Sequence, residues 1–162
     1  MKLKYQKTQI GNIMAQVIIK GLRKIHHDDV STYLLNLQRT LRINRMYSKT
    51  IYLYFKRSVE GDAIGYCSGD KNEVEIELSK EYSFTDLMLA LAHEMVHAKQ
   101  FFRGELTDGY KWKGRNYWNC AYKHQPWEKS AYYHEMKLYK ECWSQNNAKN
   151  MHVSAKKHCT FI

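Results

Sequence analysis

A chain of 162 residues, 44% of them hydrophobic and 14% aromatic, with one proline and eight glycines, can bury one good core and is not the composition of a disordered polymer. Its formal net charge is +10, and residues 1–57 hold twelve Lys or Arg against only Asp28 and Asp29, which accounts for the whole excess. The four cysteines, Cys67, Cys120, Cys142 and Cys159, form no CxxC pair, so reduced thiols fit better than a disulfide framework or a cysteine-type zinc knuckle.

No repeat, low-complexity block or Pro/Gly/Ser linker marks a boundary, so a single domain over residues 1–162 is expected, with a basic part at 1–57, a core over 28–145 and a frayed polar tail over 146–162. Ile13 to Ile19, bracketed by Gly11, Asn12 and Gly21, is apolar but has no period that separates helix from strand. Gln16 interrupts it, Lys20 follows it and no cleavage-like site comes after, so it reads as neither a secretory signal nor a membrane span, and a cytoplasmic protein is expected.

From Asp28 onward, Val30, Tyr33, Leu34, Leu37 and Leu41 follow the i, i+3, i+4, i+7 spacing of an amphipathic helix. In Thr50 to Lys56, Ile51, Leu53 and Phe55 alternate against Tyr52 and Tyr54, which predicts a strand with one face in the core. Gly61, Gly65 and Gly69 then punctuate a turn-rich stretch. Val74, Ile76 and Leu78 alternate with Glu73, Glu75 and Glu77, predicting a strand with one apolar and one acidic face. Ser83 and Asp86 make a capping box that opens a helix, and Gly104 is placed to end it. Asp108 to Gln125 reads as a long polar and aromatic loop that shapes the site. Pro126 suits the first turn of a further helix running from Trp127 to about Gln145.

The helix that starts at Ser83 carries His93-Glu94-Met95-Val96-His97. Residues four apart on a helix point into the same space, so both imidazoles can share one cation, and neutral imidazole nitrogens suit Zn²⁺. Glu94 lies on the same rim but not between the histidines, where it can take a proton from a water that the ion activates. Between Leu87 and Val96 the only polar side chains are His93 and Glu94, so the helix belongs in a core and its polar groups need partners.

A catalytic zinc site needs a third protein ligand and an open position. Gln100 and Arg103 stand where the metzincin pattern has Gly and a third His, which excludes that arrangement. On the second helix, Trp127, Ala131, Leu138 and Cys142 define an apolar face, and Glu128 and Glu135 fall beside it rather than among Lys129, Lys137 and Lys140. Glu128 leads as third ligand, with Glu135, His124, Asp108 and Glu105 as the alternatives. Tyr110, Tyr117, Tyr122, Tyr132, Tyr133 and His134 are all available to stabilise an oxyanion, and nothing in the sequence selects among them.

The run Ile64-Gly65-Tyr66-Cys67, the alternating strand and Leu91-Ala92-His93-Glu94-Met95-Val96-His97-Ala98-Lys99-Gln100 together resemble the SprT-like metallopeptidases and related small phage and bacterial proteins. The resemblance spans about Ala63 to Glu135 and implies a compact α+β zincin-like domain with a small sheet, cytoplasmic action and an extended peptide held along a sheet edge. In phage-encoded relatives that cytoplasm is the host's. The SprT pattern takes its third ligand from a histidine soon after the helix, and here no histidine occurs between His97 and His124. Pro126-Trp127-Glu128-Lys129-Ser130-Ala131 instead resembles the Glu-x-x-Ala helix of gluzincin-type peptidases, which implies that Glu128 is the ligand.

The expectation is a zinc peptidase with metal ligands His93, His97 and Glu128, catalytic base Glu94 and a peptide or protein substrate lying antiparallel to the strand around Val74 to Leu78. The alternative is a basic nucleic-acid-associated protein with a structural or vestigial zinc site. Either way, the excess of cations in residues 1–57 predicts a non-specific attraction for nucleic acid.

Overall fold

The computed structural model describes residues 14–43, 45–46, 48–107, 110–143 and 159–162. Alternating side chains build its main sheet from strands β1 (Gln16–Lys20), β2 (Thr50–Lys56), β3 (Gly65–Gly69), β4 (Glu73–Ser79) and, near the end of the chain, β8 (Cys159–Phe161), in the order β3-β4-β2-β1-β8. All neighbours are parallel except β3 and β4. Val17, Ile19, Ile51, Leu53, Phe55, Val74, Ile76 and Leu78 point to one face and are buried, whereas Tyr52, Tyr54, Glu75 and Glu77 point to the other and are not.

Helices α1 (His27–Thr40), α2 (Phe84–Phe102) and α3 (Pro126–Cys142) cover the apolar face and complete the core. The predicted face of α1, Val30, Tyr33, Leu34, Leu37 and Leu41, is buried throughout. The Tyr33 hydroxyl donates to the Met88 carbonyl on α2 at 2.9 Å, and Asn36 Nδ2 donates to the last carbonyl of α3, that of Cys142, at 3.1 Å. At the start of α2, the Ser83 hydroxyl accepts the Asp86 N–H at 3.1 Å, the N-cap half of the capping box, and donates to the Asp86 carboxylate at 2.6 Å. Gly104, at φ +66°, turns the chain off the end of that helix in a conformation that side-chain-bearing residues avoid. The result is a mixed α/β arrangement of three helices and two sheets, compatible with the α+β class.

One open question closes and several expectations change. The apolar segment ending at Ile19 is a strand, because β2 and β8 flank it and satisfy its backbone groups. The core accordingly extends past 28–145: Ala15, Val17 and Ile19 are in it, and Cys159 and Phe161 pack against it, with Phe161 stacked on His27 at 3.8 Å. Of the tail expected to fray, residues 159–161 form β8, while 144–158 lie outside the described residues. The glycine-punctuated stretch contains β3, paired to β4 across a turn in which the Asp70 carboxylate accepts the N–H groups of Asn72 and Glu73 at 2.6 and 3.1 Å. Finally, the expected long loop is organised. Strands β5 (Leu106–Thr107), β6 (Lys111–Trp112) and β7 (Arg115–Asn116) form a small antiparallel sheet, followed by a short 3₁₀ turn, Tyr122–His124. Helix α3 stops at Cys142, three residues short of the expected end.

β3 also corrects the proposed substrate strand. β4 is bonded on both sides, to β2 and β3, so the segment Val74 to Leu78 has no free edge, and among the described strands the outermost one on this side is β3. No helix among the described residues is long and apolar enough to cross a membrane.

Because Ile19 is fully buried between β2 and β8 while Ile18 points to the outer face, Ile19→Ala should cost about 2–5 kcal/mol of stability and Ile18→Ala well under half as much, read as midpoints of urea unfolding. Equal losses at the two positions would contradict the strand assignment.

Candidate metal centre

Two helices bring the polar groups together. α2 presents His93 and His97 one turn apart, and α3, started by Pro126 in its first turn, presents Glu128 one residue beyond the buried Trp127 and Glu135 two turns further on. His93, His97 and Glu128 are all buried, and one donor atom from each lies within 4.8 Å of the others. His93 Nε2 stands 3.1 Å from His97 Nε2 and 3.2 Å from Glu128 Oε2, and His97 Nε2 is 3.3 Å from Glu128 Oε1. Each histidine meets a different oxygen of Glu128, so the carboxylate spans the gap between the two rings and all three residues lie within reach of one ion. This buried group can hold a metal ion.

Each ring is also held from its far side. Gln100 Nε2 donates to the Trp127 carbonyl at 3.2 Å, which leaves Gln100 Oε1 to accept from His97 Nδ1 at 2.9 Å. His93 Nδ1 donates to Glu135 Oε2 at 2.8 Å. The Nε2 atoms of both rings face each other and the Glu128 carboxylate, where a ring can donate to that carboxylate when it carries a proton on Nε2 or give an Nε2 lone pair to a cation when it does not. The Tyr132 ring packs edge-on against His93 at 4.7 Å and limits its rotation.

Burial opposes charge on Glu128, yet its bonds to His93 and His97, helped by the Tyr122 hydroxyl, pull its pKa down to about 2, so it is an anion at any physiological pH. Burial likewise opposes charge on His93, but the bond to Glu128, the field of Glu94 and the bond to Glu135 lift its pKa above the ordinary value. Glu94 is buried beside the triangle without belonging to it, and burial pushes its carboxyl up to about 7 against the pull of His97 and His93. Its neighbour across the cleft is β3: a Cβ added to Gly65 would come within 2.8 Å of Glu94 Oε1. Burial, and then the charges of Glu94 and Glu128, push the Cys67 thiol well up, so it stays protonated and unreactive as a nucleophile.

The centre opens into a cleft. A cavity of about 590 Å³, lined by Phe101, Leu106, Tyr110, Trp127 and β3 residues, adjoins a second of about 460 Å³ lined by Asp62, Leu89, Ala90, Tyr132 and Glu135. Gly65, His93, Glu94 and Tyr122 border both.

Among the alternatives for the third ligand, Glu135 supports His93 from behind, His124 is exposed on the 3₁₀ turn and outside the donor group, Glu105 is also outside it, and Asp108 lies outside the described residues. Gln100 and Gly65 carry roles that the sequence reading missed. The signal for Gln100 was present, since His93, His97 and Gln100 fall on one stripe of an otherwise apolar helix; for Gly65 there was none, because its neighbour is distant in sequence. No protein-family model, curated protein or solved structure matches the chain, so the roles of these residues rest on their geometry.

Gln100→Leu and Glu135→Gln should each weaken metal binding about 10- to 100-fold, because each frees a ring from its orienting bond, and Glu128→Ala should weaken it more. Competitive chelation measures all three, with far-UV circular dichroism as the control for folding. A folded Glu128→Ala protein that holds metal as tightly as the wild type would remove Glu128 from the ligand set.

Proposed function

We propose that the chain is a zinc-dependent peptidase in which His93, His97 and Glu128 hold the ion and Glu94 is the general base. The observation that carries this reading is the pairing of a two-nitrogen, one-carboxylate donor set with a separate buried carboxylate on the wall of an open cleft. Structural zinc sites are closed and four-coordinate, whereas three protein donors facing a cavity are the catalytic pattern. Zinc suits two imidazoles and a carboxylate in tetrahedral geometry, and when bound it supplies Lewis acidity that lowers the pKa of water to about 7.

The protein's own groups supply the rest. Glu94, with a carboxyl near pKa 7, accepts the proton of the water that attacks the peptide carbonyl and returns it to the departing amine nitrogen as the C–N bond breaks. The outer side of β3, where no described strand lies, is placed to offer backbone N–H and C=O groups to an extended substrate, which reads main chain more than side chains. Gly65, with no side chain, lets that substrate approach Glu94. The wall of Phe101, Leu106 and Trp127 suits a bulky apolar side chain next to the scissile bond. Tyr122 borders both cavities and donates its one hydroxyl proton to Glu128, which gives it the part of holding that carboxylate in place.

Glu94→Gln should lower cleavage of unfolded casein by about 10²- to 10⁴-fold and keep zinc at about one ion per chain, since the glutamate acts on the proton and not on the metal. Loss of zinc in that variant would make Glu94 a ligand. Failure of the zinc-loaded wild type to cut casein, itself or a DNA-bound protein would overturn the peptidase reading.

A further inference from the structure

The segment between α2 and α3 has a composition unlike the rest of the chain. From Gly109 to Trp127 it contains Lys111, Lys113, Arg115 and Lys123 with no Asp or Glu, and six aromatic residues, Tyr110, Trp112, Tyr117, Trp118, Tyr122 and Trp127, with no Leu, Ile, Val, Met or Phe. The six rings divide into two sets. Trp112 and Tyr117 turn inward onto Trp127, with ring centres 6.4 and 5.9 Å from it, and pack against the core. Trp118 and Tyr122 face solvent with 68% and 56% of their surface exposed, Tyr110 is 48% exposed with its ring also 6.3 Å from that of Trp127, and all four cationic side chains are exposed as well.

The exposed rings are not exposed because their segment is loosely held. β6 and β7 are joined by a two-residue turn whose central residues, Lys113 and Gly114, both have positive φ (49° and 80°), which matches the twist of the strands. The Lys113 N–H donates to the Glu105 carbonyl at 2.7 Å and the Tyr117 N–H to the Tyr110 carbonyl at 2.9 Å. Trp118 has its own N–H on the Asn116 carboxamide oxygen at 2.8 Å and its ring edge-on to Tyr110 at 5.6 Å. Rings held this way lose little freedom when something stacks on them.

We propose that this hairpin and the 3₁₀ turn after it form a binding site for single-stranded nucleic acid. Flat rings offer stacking platforms for bases, and cations interleaved with them neutralise the phosphates between. Single strands are favoured over duplexes because a ring can stack only on a base whose face is free. A membrane surface fits less well: the segment has no Leu, Ile, Val, Met or Phe to bury in acyl chains. The site differs from the basic excess of residues 1–57, which has cations without this array of rings on a fixed hairpin, and it does not depend on the peptidase reading. Tyr110 and Tyr122 also line the cleft, so a strand bound here runs up to the metal centre.

The test is fluorescence anisotropy of the full-length protein with a labelled oligothymidylate about 20 nucleotides long, against a duplex of the same length and against phosphatidylserine vesicles. The single strand should bind more tightly than the duplex. Trp118→Ala should weaken it about 5- to 100-fold, and Lys111→Gln with Arg115→Gln should lower the slope of log affinity against log salt by about 1.4. Trp118 lines neither cavity, so metal content and circular dichroism should be unchanged in its variant. Four results would each overturn the proposal: no oligonucleotide binding at low salt, wild-type affinity in Trp118→Ala, duplex binding as tight as single-strand binding with hairpin variants silent, or tighter binding to the vesicles.

Discussion

The packing of α3 on α2 concentrates negative charge to a degree that determines the rest of the site. Three carboxylates, Glu94, Glu128 and Glu135, and two imidazoles meet in a largely buried space, and hydrogen bonding commits the Nδ1 protons of both rings outward. A proton added to one ring serves one donor pair at a time. A divalent cation meets all three corners of the triangle at once and offsets Glu128 together with part of the charge behind it. The bonds from His97 to Gln100 and from His93 to Glu135 then make sense as devices that hold each ring with Nε2 turned to a cation.

Local signals were read well where a single element contains its own explanation. The α1 stripe, the β2 and β4 alternation, the Ser83 cap, Gly104 and Pro126 each depend on neighbours within a few residues, and each appears where expected. The triad of His93, His97 and Glu128 was legible for a related reason, since an acidic residue beside the apolar face of one helix and two histidines on another both demand partners. What failed was pairing at a distance. β1 carries no diagnostic period because its register is dictated by β2 and β8; β5, β6 and β7 are too short to show alternation; and nothing in the acidic alternation of β4 says that β3 will cover its edge.

That last misreading bears on the chemistry. A strand packed this closely against Glu94 has no room for a Cβ at Gly65, and a glycine meets that constraint at the cost of weak strand propensity. Gly65 and Gly69 therefore look like turns in sequence, although they bound the strand that faces the cleft. Pairing with the strongly alternating β4 supplies the stability that β3 lacks by itself, which places the least regular strand of the sheet beside Glu94.

Trp127 joins the two halves of this arrangement. Its ring is the surface on which Trp112 and Tyr117 anchor the hairpin, its carbonyl accepts the Gln100 amide that orients His97, and the residue after it is Glu128 of the buried triad. A shift of the hairpin that moved the Trp127 ring would reach two of the three metal donors through bonds of about 3 Å, without crossing any flexible segment. The aromatic residues that seemed too numerous to interpret in sequence thus have distinct parts: the inward ones tie the hairpin to the metal centre, and the outward ones leave it a surface that faces solvent beside the cleft.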